Sequence, residues 1–272
     1  MLEFSLPIEL PVALTIAGSD PSGGAGLQAD LKTFHQFGVY GMAIPTLVTV
    51  QNTRSVEAVV PLDAGLVRNQ LDCVQRDIPP SAAKIGAIPD TIVVEAIAEW
   101  ASDFDAPLVV DPVIKSTHGQ TLTSHDAVTA MIEVLLPSCL LVTPNLHEAS
   151  LMSGVAVHDP STMRDAAERI AGCGVRHVLV KGGHLEGPAV DLLWSDGDAL
   201  EFSSARIHSR HTHGTGCTYS AAITALLAQS VALVDAVVAA KRFVTEAIRT
   251  APGLGQGSGP VNHHAPTGLG RG

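Results

Sequence analysis

Short apolar runs alternate with longer amphipathic stretches along most of the chain. Val12–Ala17 is the first run and ends at Gly18-Ser19-Asp20-Pro21-Ser22-Gly23-Gly24, which reads as a strand running into a loop. Leu27, Leu31, Phe34 and Phe37 then recur at helical spacing, which predicts a helix from Leu27 to Phe37. The same reading predicts strands at Ala43–Val50, Ala83–Ile88, Leu108–Val110, Leu140–Thr143 and Val175–Val180. It predicts helices at Asp63–Arg76, Thr91–Trp100, Ser124–Leu136, Ser161–Cys173, Cys217–Ala228 and Leu233–Arg249. Val190–Trp194 and Ala199–Phe202 flank Asp196-Gly197 as a hairpin.

Alternating strands and helices predict an α/β fold, a mostly parallel sheet covered by helices on both faces. No repeat and no linker interrupts it, so residues 1–262 are expected to form one domain. The stretch from Pro252 is rich in Gly and Pro; residues 263–272 are expected to be a flexible tail, with His263 and His264 in solvent. Ala221–Ala240 is the most apolar stretch, but Gln229, Ser230 and Asp235 break it. It reads as two buried helices meeting near Ser230 and not as a membrane span.

Composition narrows the function. Of the 272 residues 46% are hydrophobic and 4% aromatic, and the net charge is −11. An acidic surface with few stacking rings argues against nucleic acid or an anionic membrane as partner. A small anionic ligand remains compatible with a local positive site. Cys73, Cys139, Cys173 and Cys217 are far apart in sequence with no C-x-x-C pair, and Met1–Pro11 carries Glu3 and Glu9 but no basic run. A reduced, cytoplasmic chain without a secretory leader is expected.

In an open α/β sheet, ligands gather at the carboxyl ends of the strands. The predicted strands end at Gly18–Gly26, Gln51-Asn52, Lys84-Ile85-Gly86, Asp111-Pro112, Thr143-Pro144-Asn145 and Lys181-Gly182-Gly183-His184. His211-Thr212-His213-Gly214-Thr215-Gly216-Cys217 leads into an apolar helix. Gly214 and Gly216 permit a tight turn whose N–H groups, with the helix dipole, suit a phosphoryl group. Cys217 stands at the helix start, where a thiol pKa is expected to fall, which makes it a candidate base. Asp111 and Glu148 are candidate Mg²⁺ carboxylates, and Lys181 a candidate for neutralising nucleotide phosphates. Each has a plainer reading: Glu148 as a dipole-stabilised first-turn residue, Lys181 as a surface turn lysine. Together they supply what phosphoryl transfer needs.

Other signatures fare worse. Gly24-Ala25-Gly26-Leu27-Gln28-Ala29 matches G-x-G-x-x-A, but the loop before it is long. Val50-Gln51-Asn52 offers no acid for a ribose, so a dinucleotide site is disfavoured. Instead the loop can admit a flat ring, with Asp30 one turn into the helix to accept from an amino group. His208, His211, His213 and Cys217 match no zinc spacing. There is no G-x-x-x-x-G-K-[ST] and no protein-kinase motif set.

Leu14–Gly26 with Gln28–Thr33 closely resembles the N-terminal motif of the hydroxymethylpyrimidine/phosphomethylpyrimidine kinases of thiamine synthesis. Gln51-Asn52-Thr53, Lys84-Ile85-Gly86, Asp111-Pro112-Val113, Thr143-Pro144-Asn145-Leu146-x-Glu148, Lys181-Gly182-Gly183-His184 and His213–Cys217 follow in that family's order. The resemblance spans about Leu14 to Asn262. It implies a ribokinase-like three-layer αβα sandwich, often dimeric, that uses ATP and Mg²⁺. The implied reaction phosphorylates 4-amino-5-hydroxymethyl-2-methylpyrimidine to its monophosphate and then to the diphosphate. By motif, Gly18, Ala25, Asp30 and Gln51 would line the pyrimidine pocket. Asp111 and Glu148 would organise Mg²⁺, with Asn145, Lys181 and Thr215 near the nucleotide. Gly214, Gly216 and Cys217 would form the anion cradle, with Cys217 by the acceptor hydroxyl. The chain departs from the family at Ala87, where Met is usual, and at Lys115-Ser116-Thr117-His118-Gly119, where Lys115 has no assignment. The alternatives are a pyridoxal kinase of the same fold and, from another class, a non-catalytic pyrimidine-binding regulator.

Overall fold

A computed structural model of the protein describes residues 10–183, 185 and 187–268. The expectation of no leader at Met1–Pro11 falls largely outside these residues, as do His184 and the last four residues.

The elements run β1 (Val12–Ser19), α1 (Gly26–Gln36), β2 (Tyr40–Gln51), β3 (Val56–Pro61), α2 (Ala64–Asp77), β4 (Ala82–Ile85), α3 (Thr91–Ala101) and β5 (Leu108–Val110). They continue with α4 (His125–Ala130), β6 (Leu141–Val142), α5 (Leu146–Ser153), α6 (Pro160–Ala171), β7 (His177–Val180), β8 (Ala189–Ser195), β9 (Asp198–Ser204), α7 (Thr215–Ala228) and α8 (Leu233–Arg249). Among the described residues the strands form one nine-stranded sheet, in the order β3-β2-β1-β4-β5-β6-β7-β8-β9. The six strands from β2 to β7 in that order are mutually parallel, and β3, β8 and β9 add antiparallel edges.

The two-residue alternation of each strand divides the core into two layers. Leu14, Ile16, Leu108, Val110, Val142 and Val178 face α2, α3, α4 and α6. Ala13, Val109, Leu141 and Leu179 face α1, α7 and α8. A sheet apolar on both faces must be covered on both, and the result is a three-layer αβα sandwich. β1 connects to β2 on one side while β4 lies on its other side. The order in which successive strands are added therefore reverses at β1, and a crevice opens beyond the strand ends there.

Two elements were not predicted. β3 is an edge strand in which no residue is buried, so its alternation is faint. α5 has eight residues, too few to show a helical period, and is started by an Asn145–Glu148 capping box. The expected helix Ser124–Leu136 is α4 followed by a π-helical turn and a 3₁₀ turn carrying Pro137. The break between α7 and α8 falls at Ser230, whose φ is +61°, as the sequence implied. Among the described residues, no helix is long and apolar enough to cross a membrane.

The solvent placement of His263 is corrected. His263 is 6% exposed, and Val261 and Ala265 are buried against α7 and α8. Gln36 Nε2 donates to the Ala265 carbonyl at 2.9 Å. Apolar residues on either side of His263 draw this segment down onto the helices.

Candidate active site

The glycine-rich loop after β1 is folded by one carboxylate. Asp20 Oδ1 accepts from Ser22 N at 2.9 Å and Ser22 Oγ at 2.7 Å, and Oδ2 accepts from Gly24 N at 3.2 Å and Ala25 N at 3.0 Å. Gly26 has φ +54°, and a Cβ there would lie 2.1 Å from the Gly18 carbonyl oxygen, so only glycine closes this turn. Asp20 Oδ2 also stands 2.8 Å from His213 Nε2. Burial pushes the Asp20 carboxyl up, but the His213 and Ser22 bonds outweigh it and hold it below the ordinary range. With Asp20 ionised, His213 directs its Nε2 proton there and leaves Nδ1 to accept from Thr117 Oγ1 at 3.0 Å. Gln51 Nε2 lies 3.2 Å from the same imidazole. One histidine thus ties together the loop after β1, the end of β2, the segment after β5 and the turn before α7.

Asp30 was expected to touch the substrate ring; the structure places it underneath. Its oxygens lie 2.6 and 2.8 Å from Lys84 Nζ, and Oδ2 also accepts from Thr15 Oγ1 at 2.6 Å. Asp30, Lys84 and Thr15 are all 0% exposed. Both carboxylate oxygens are spent, and Asp30 does not line the cavity; Lys84 does. Burial alone would lower the Lys84 pKa, but Asp30, Cys217 and Asp111 hold it above its ordinary value, so the ammonium stays charged. Asp30 is therefore a positioning residue for Lys84. The signal for Lys84 was present: a lysine inside the otherwise apolar strand Ala82–Ile85 has to be paired.

Beyond β5, Asp111 Oδ1 accepts from Lys181 Nζ at 2.7 Å and Thr143 Oγ1 at 3.2 Å, and Oδ2 accepts from Ser220 Oγ at 3.2 Å. Burial raises the Asp111 pKa, but Lys181 and Lys84 bring it below the ordinary value. A Cβ on Gly216 would sit 3.2 Å from Lys181 Nζ and 3.6 Å from Asp111 Oδ2. Glycine is what lets the turn before α7 lie directly against this pair. Glu148 Oε2 accepts from Asn145 N at 2.8 Å, and Asn145 Oδ1 accepts from Glu148 N at 2.9 Å. Burial, reinforced by Asp111, pushes Glu148 up to about 7 in spite of Lys181.

α7 starts at Gly214, whose φ is +77° and whose Cβ would meet the Gly24 carbonyl oxygen at 1.8 Å. No side chain caps the helix, and its first turn holds no acid. Thr215 N donates to Thr212 O at 3.2 Å, which leaves the N–H groups of Gly216 and Cys217 available to an anion. Thr215 Oγ1 donates to Thr212 O at 2.7 Å and helps to close the turn. The expected depression of the Cys217 thiol is overturned. Burial, with Asp30 and Asp111 nearby, pushes it up to about 11 although Lys84 opposes the shift.

These groups surround one cavity of about 1000 Å³. Gly18, Ala25 and Gln51 line one part; Asp111, Asn145, Glu148 and Lys181 line another; Gly214, Thr215, Gly216 and Cys217 lie on its wall. Of the sequence-derived site residues only Asp30 is missing from the lining. Two features were not anticipated. Lys241 Nζ pairs with Asp191 Oδ2 at 2.7 Å, and Asp191 Oδ1 accepts from Gly182 N at 3.0 Å, fixing the turn beside Lys181. Arg206 donates to the carbonyls of Gly183, Leu185 and Gly187, bracing the loop that follows.

A crevice at a topological switch point, holding a glycine-lined anion cradle beside a Lys–Asp pair and a buried glutamate, is a phosphoryl-transfer geometry. Residues 20–262 match the family model described as phosphomethylpyrimidine kinase. The chain belongs to this family. A hydroxymethylpyrimidine/phosphomethylpyrimidine kinase of Rhizobium meliloti is 50% identical over 256 residues, covering 93% of this chain and 96% of the relative. Among solved structures, an ADP complex of Bacillus subtilis pyridoxal kinase superposes with a TM-score of 0.88 at 38% identity, covering 94% and 98% of the two chains. A phosphomethylpyrimidine kinase of Clostridium difficile 630 gives 0.78 at 40% identity, covering 87% and 99%. The family resemblance read from the motifs and the ribokinase-like sandwich are both borne out.

Proposed function

We propose that this phosphomethylpyrimidine kinase family member transfers the γ-phosphoryl group of ATP to 4-amino-5-hydroxymethyl-2-methylpyrimidine, and then to the resulting monophosphate, in thiamine biosynthesis. The carrying observation is one helix start, Gly214–Cys217, that borders both the Gly18–Gln51 end of the cavity and the Lys181–Asp111 pair. Groups that recognise a small flat heterocycle and groups that stabilise a phosphoryl group are then within one transfer distance. Gln51, Gly18 and Ala25 face the ring. Lys84, fixed by Asp30, and the α7 N–H groups face the charge that develops in flight. Lys181 and Asn145 serve the nucleotide.

Asp111 and Glu148 suit Mg²⁺. Mg²⁺ binds through one or two carboxylates, waters and substrate phosphates rather than an all-protein cage. Both carboxylates line the cavity, and the buried Glu148, raised to about 7 by burial and Asp111, would be held ionised by a cation added beside Lys181. Bound there, Mg²⁺ would neutralise phosphate charge. With its thiol raised to about 11, Cys217 acts as a neutral donor that orients the acceptor hydroxyl rather than as a standing thiolate.

The reading includes a homodimer. Val48 and Val60 pair across β2 and β3 and are 40% and 49% exposed, an apolar patch a second copy would cover; light scattering on the purified chain tests it. The deciding experiment is ³¹P NMR of protein, ATP, Mg²⁺ and the free pyrimidine. Successive monophosphate and diphosphate signals are expected; their absence with an active phosphate donor refutes the reading. Ala87 on the cavity wall, and the likeness to Bacillus subtilis pyridoxal kinase, support pyridoxal as a second acceptor. Turnover of the two alcohols side by side separates these readings.

A further inference from the structure

The cations of the cavity are nearly all committed. Lys84 is held by Asp30 at 2.6 Å, Lys181 by Asp111 at 2.7 Å and Lys241 by Asp191 at 2.7 Å. Arg206 is spent on loop carbonyls, and Arg210, also on the wall, donates from Nε to His211 Nε2 at 3.1 Å. Lys115 also lines the cavity, and among the described residues its ammonium has neither a hydrogen-bond nor a carboxylate partner.

Its place in the chain aims it at the acceptor end. Residues 115–121 form a small ribbon after β5: Lys115 bridges Thr121, and Ser116 N donates to Gln120 O at 2.8 Å. The ribbon is docked over the cavity at two points. Thr117 Oγ1 reaches His213 Nδ1 at 3.0 Å, and His118 Nε2 lies 3.0 Å from the Thr53 carbonyl oxygen. Lys115, Ser116 and Thr117 all line the cavity, and Thr117 reaches the His213–Gln51 end, while Ile114 is buried in the core.

The two proposed transfers differ in one respect that an unpaired cation addresses. The first acceptor is a neutral alcohol. The second is a phosphate dianion brought up to ATP in a protein of net charge −11, beside Asp20, Asp111 and Glu148. In that step an acceptor phosphate oxygen bonds to the γ-phosphorus, the bond from that phosphorus to the β–γ bridging oxygen breaks, and ADP leaves with the electron pair. Every other lysine of the cavity already balances a carboxylate.

We propose that Lys115 is the specificity-determining residue for the second transfer, its ammonium binding the phosphate of the monophosphate acceptor. The proposal rests on the two-step reading above. A charge-assisted contact of this kind is worth about 10- to 100-fold in affinity. The test compares wild type, K115Q and K115R in steady-state turnover of the free alcohol and of the monophosphate at fixed ATP. Calorimetric binding of the monophosphate accompanies it. K115Q should raise KM for the monophosphate and weaken its binding by about 10- to 100-fold, leave the alcohol within about 3-fold, and be largely rescued by K115R. Equal losses on both acceptors would mean a ribbon-folding role and overturn the proposal, as would unchanged binding of the monophosphate. Should the wild-type protein turn over the alcohol but not the monophosphate, the two-step reading fails. The binding comparison still decides whether Lys115 holds the phosphate.

Discussion

His263 makes the fold sensitive to acid. Its side chain is 6% exposed, and among the described residues its buried Nε2 has no hydrogen-bond partner. Burial first, then the positive neighbours Lys32, His264 and His213, lower its pKa from 6.5 to about 4. The unfolded chain takes up this proton near pH 6.5 and the folded chain only near pH 4. Between those values the unfolded state holds more protons, so stability falls as pH falls. The gap is worth about 3 kcal/mol at pH 4 and about 2 kcal/mol at pH 5. For a domain of this size the pH 5 value corresponds to about 4–8 °C in Tm. The assay is thermal unfolding by circular dichroism from pH 7.5 to 5, wild type against His263→Gln. The substitution carries a pH-independent cost, so only the difference in slope counts. Carboxylates and other histidines titrate in both proteins and cancel. The wild type should lose about 4–8 °C more than the variant over this range. Parallel curves would show that His263 is not buried neutral, and the packing of residues 261–265 on α7 and α8 would need revision.

Three further outcomes are expected. Cys217→Ala should impair phosphorylation of the alcohol more than of the monophosphate, while Cys217→Ser stays within about tenfold of wild type, because a thiol at about 11 works as a donor; equal losses on both acceptors would refute an acceptor-specific role. Asp30→Asn leaves the Lys84 charge buried and unpaired and should cost about 3–5 kcal/mol in urea unfolding; an unchanged midpoint would mean the ammonium is not charged in the folded protein. Gly216→Ala puts a methyl group 3.2 Å from Lys181 Nζ. It should lower turnover about tenfold or more with only a few degrees' change in Tm; wild-type kinetics would remove the α7 start from the transfer site.

The sandwich was legible because strands buried on both faces read as apolar runs and most helices are long enough to show their period. β3 and α5 escaped for the opposite reasons: one is an edge strand with no buried residue, the other eight residues long. At the site, glycines were the readable signal, since Gly26, Gly214 and Gly216 stand where a Cβ would strike a carbonyl or crowd the Lys181–Asp111 pair. What sequence could not reveal was what lies across from a charge. Asp30 looks like a ligand for a ring until Lys84, fifty-four positions later, is seen to occupy both its oxygens. Cys217 looks activated until the nearby carboxylates and the depth of its pocket are added to the helix dipole.

The pairing of cations with buried carboxylates explains how an acidic chain can handle a triphosphate. An unpaired lysine as buried as Lys84 would lose its proton or move to solvent; Asp30 and Asp111 keep Lys84 and Lys181 charged and in place, whereas Lys115 is exposed and needs no such partner. The cost is that each pair is nearly neutral from a distance and draws no anion through bulk water. On the proposed reading, attraction at close range comes from the α7 N–H groups, from a cation bound beside Glu148 and from Lys115. The first two stand where the transferring phosphoryl group would lie. On the proposed reading Lys115, the one lysine of the cavity without a carboxylate partner among the described residues, tells a charged acceptor from an uncharged one, and so the two transfers should part company at that residue and not at Lys84 or Lys181.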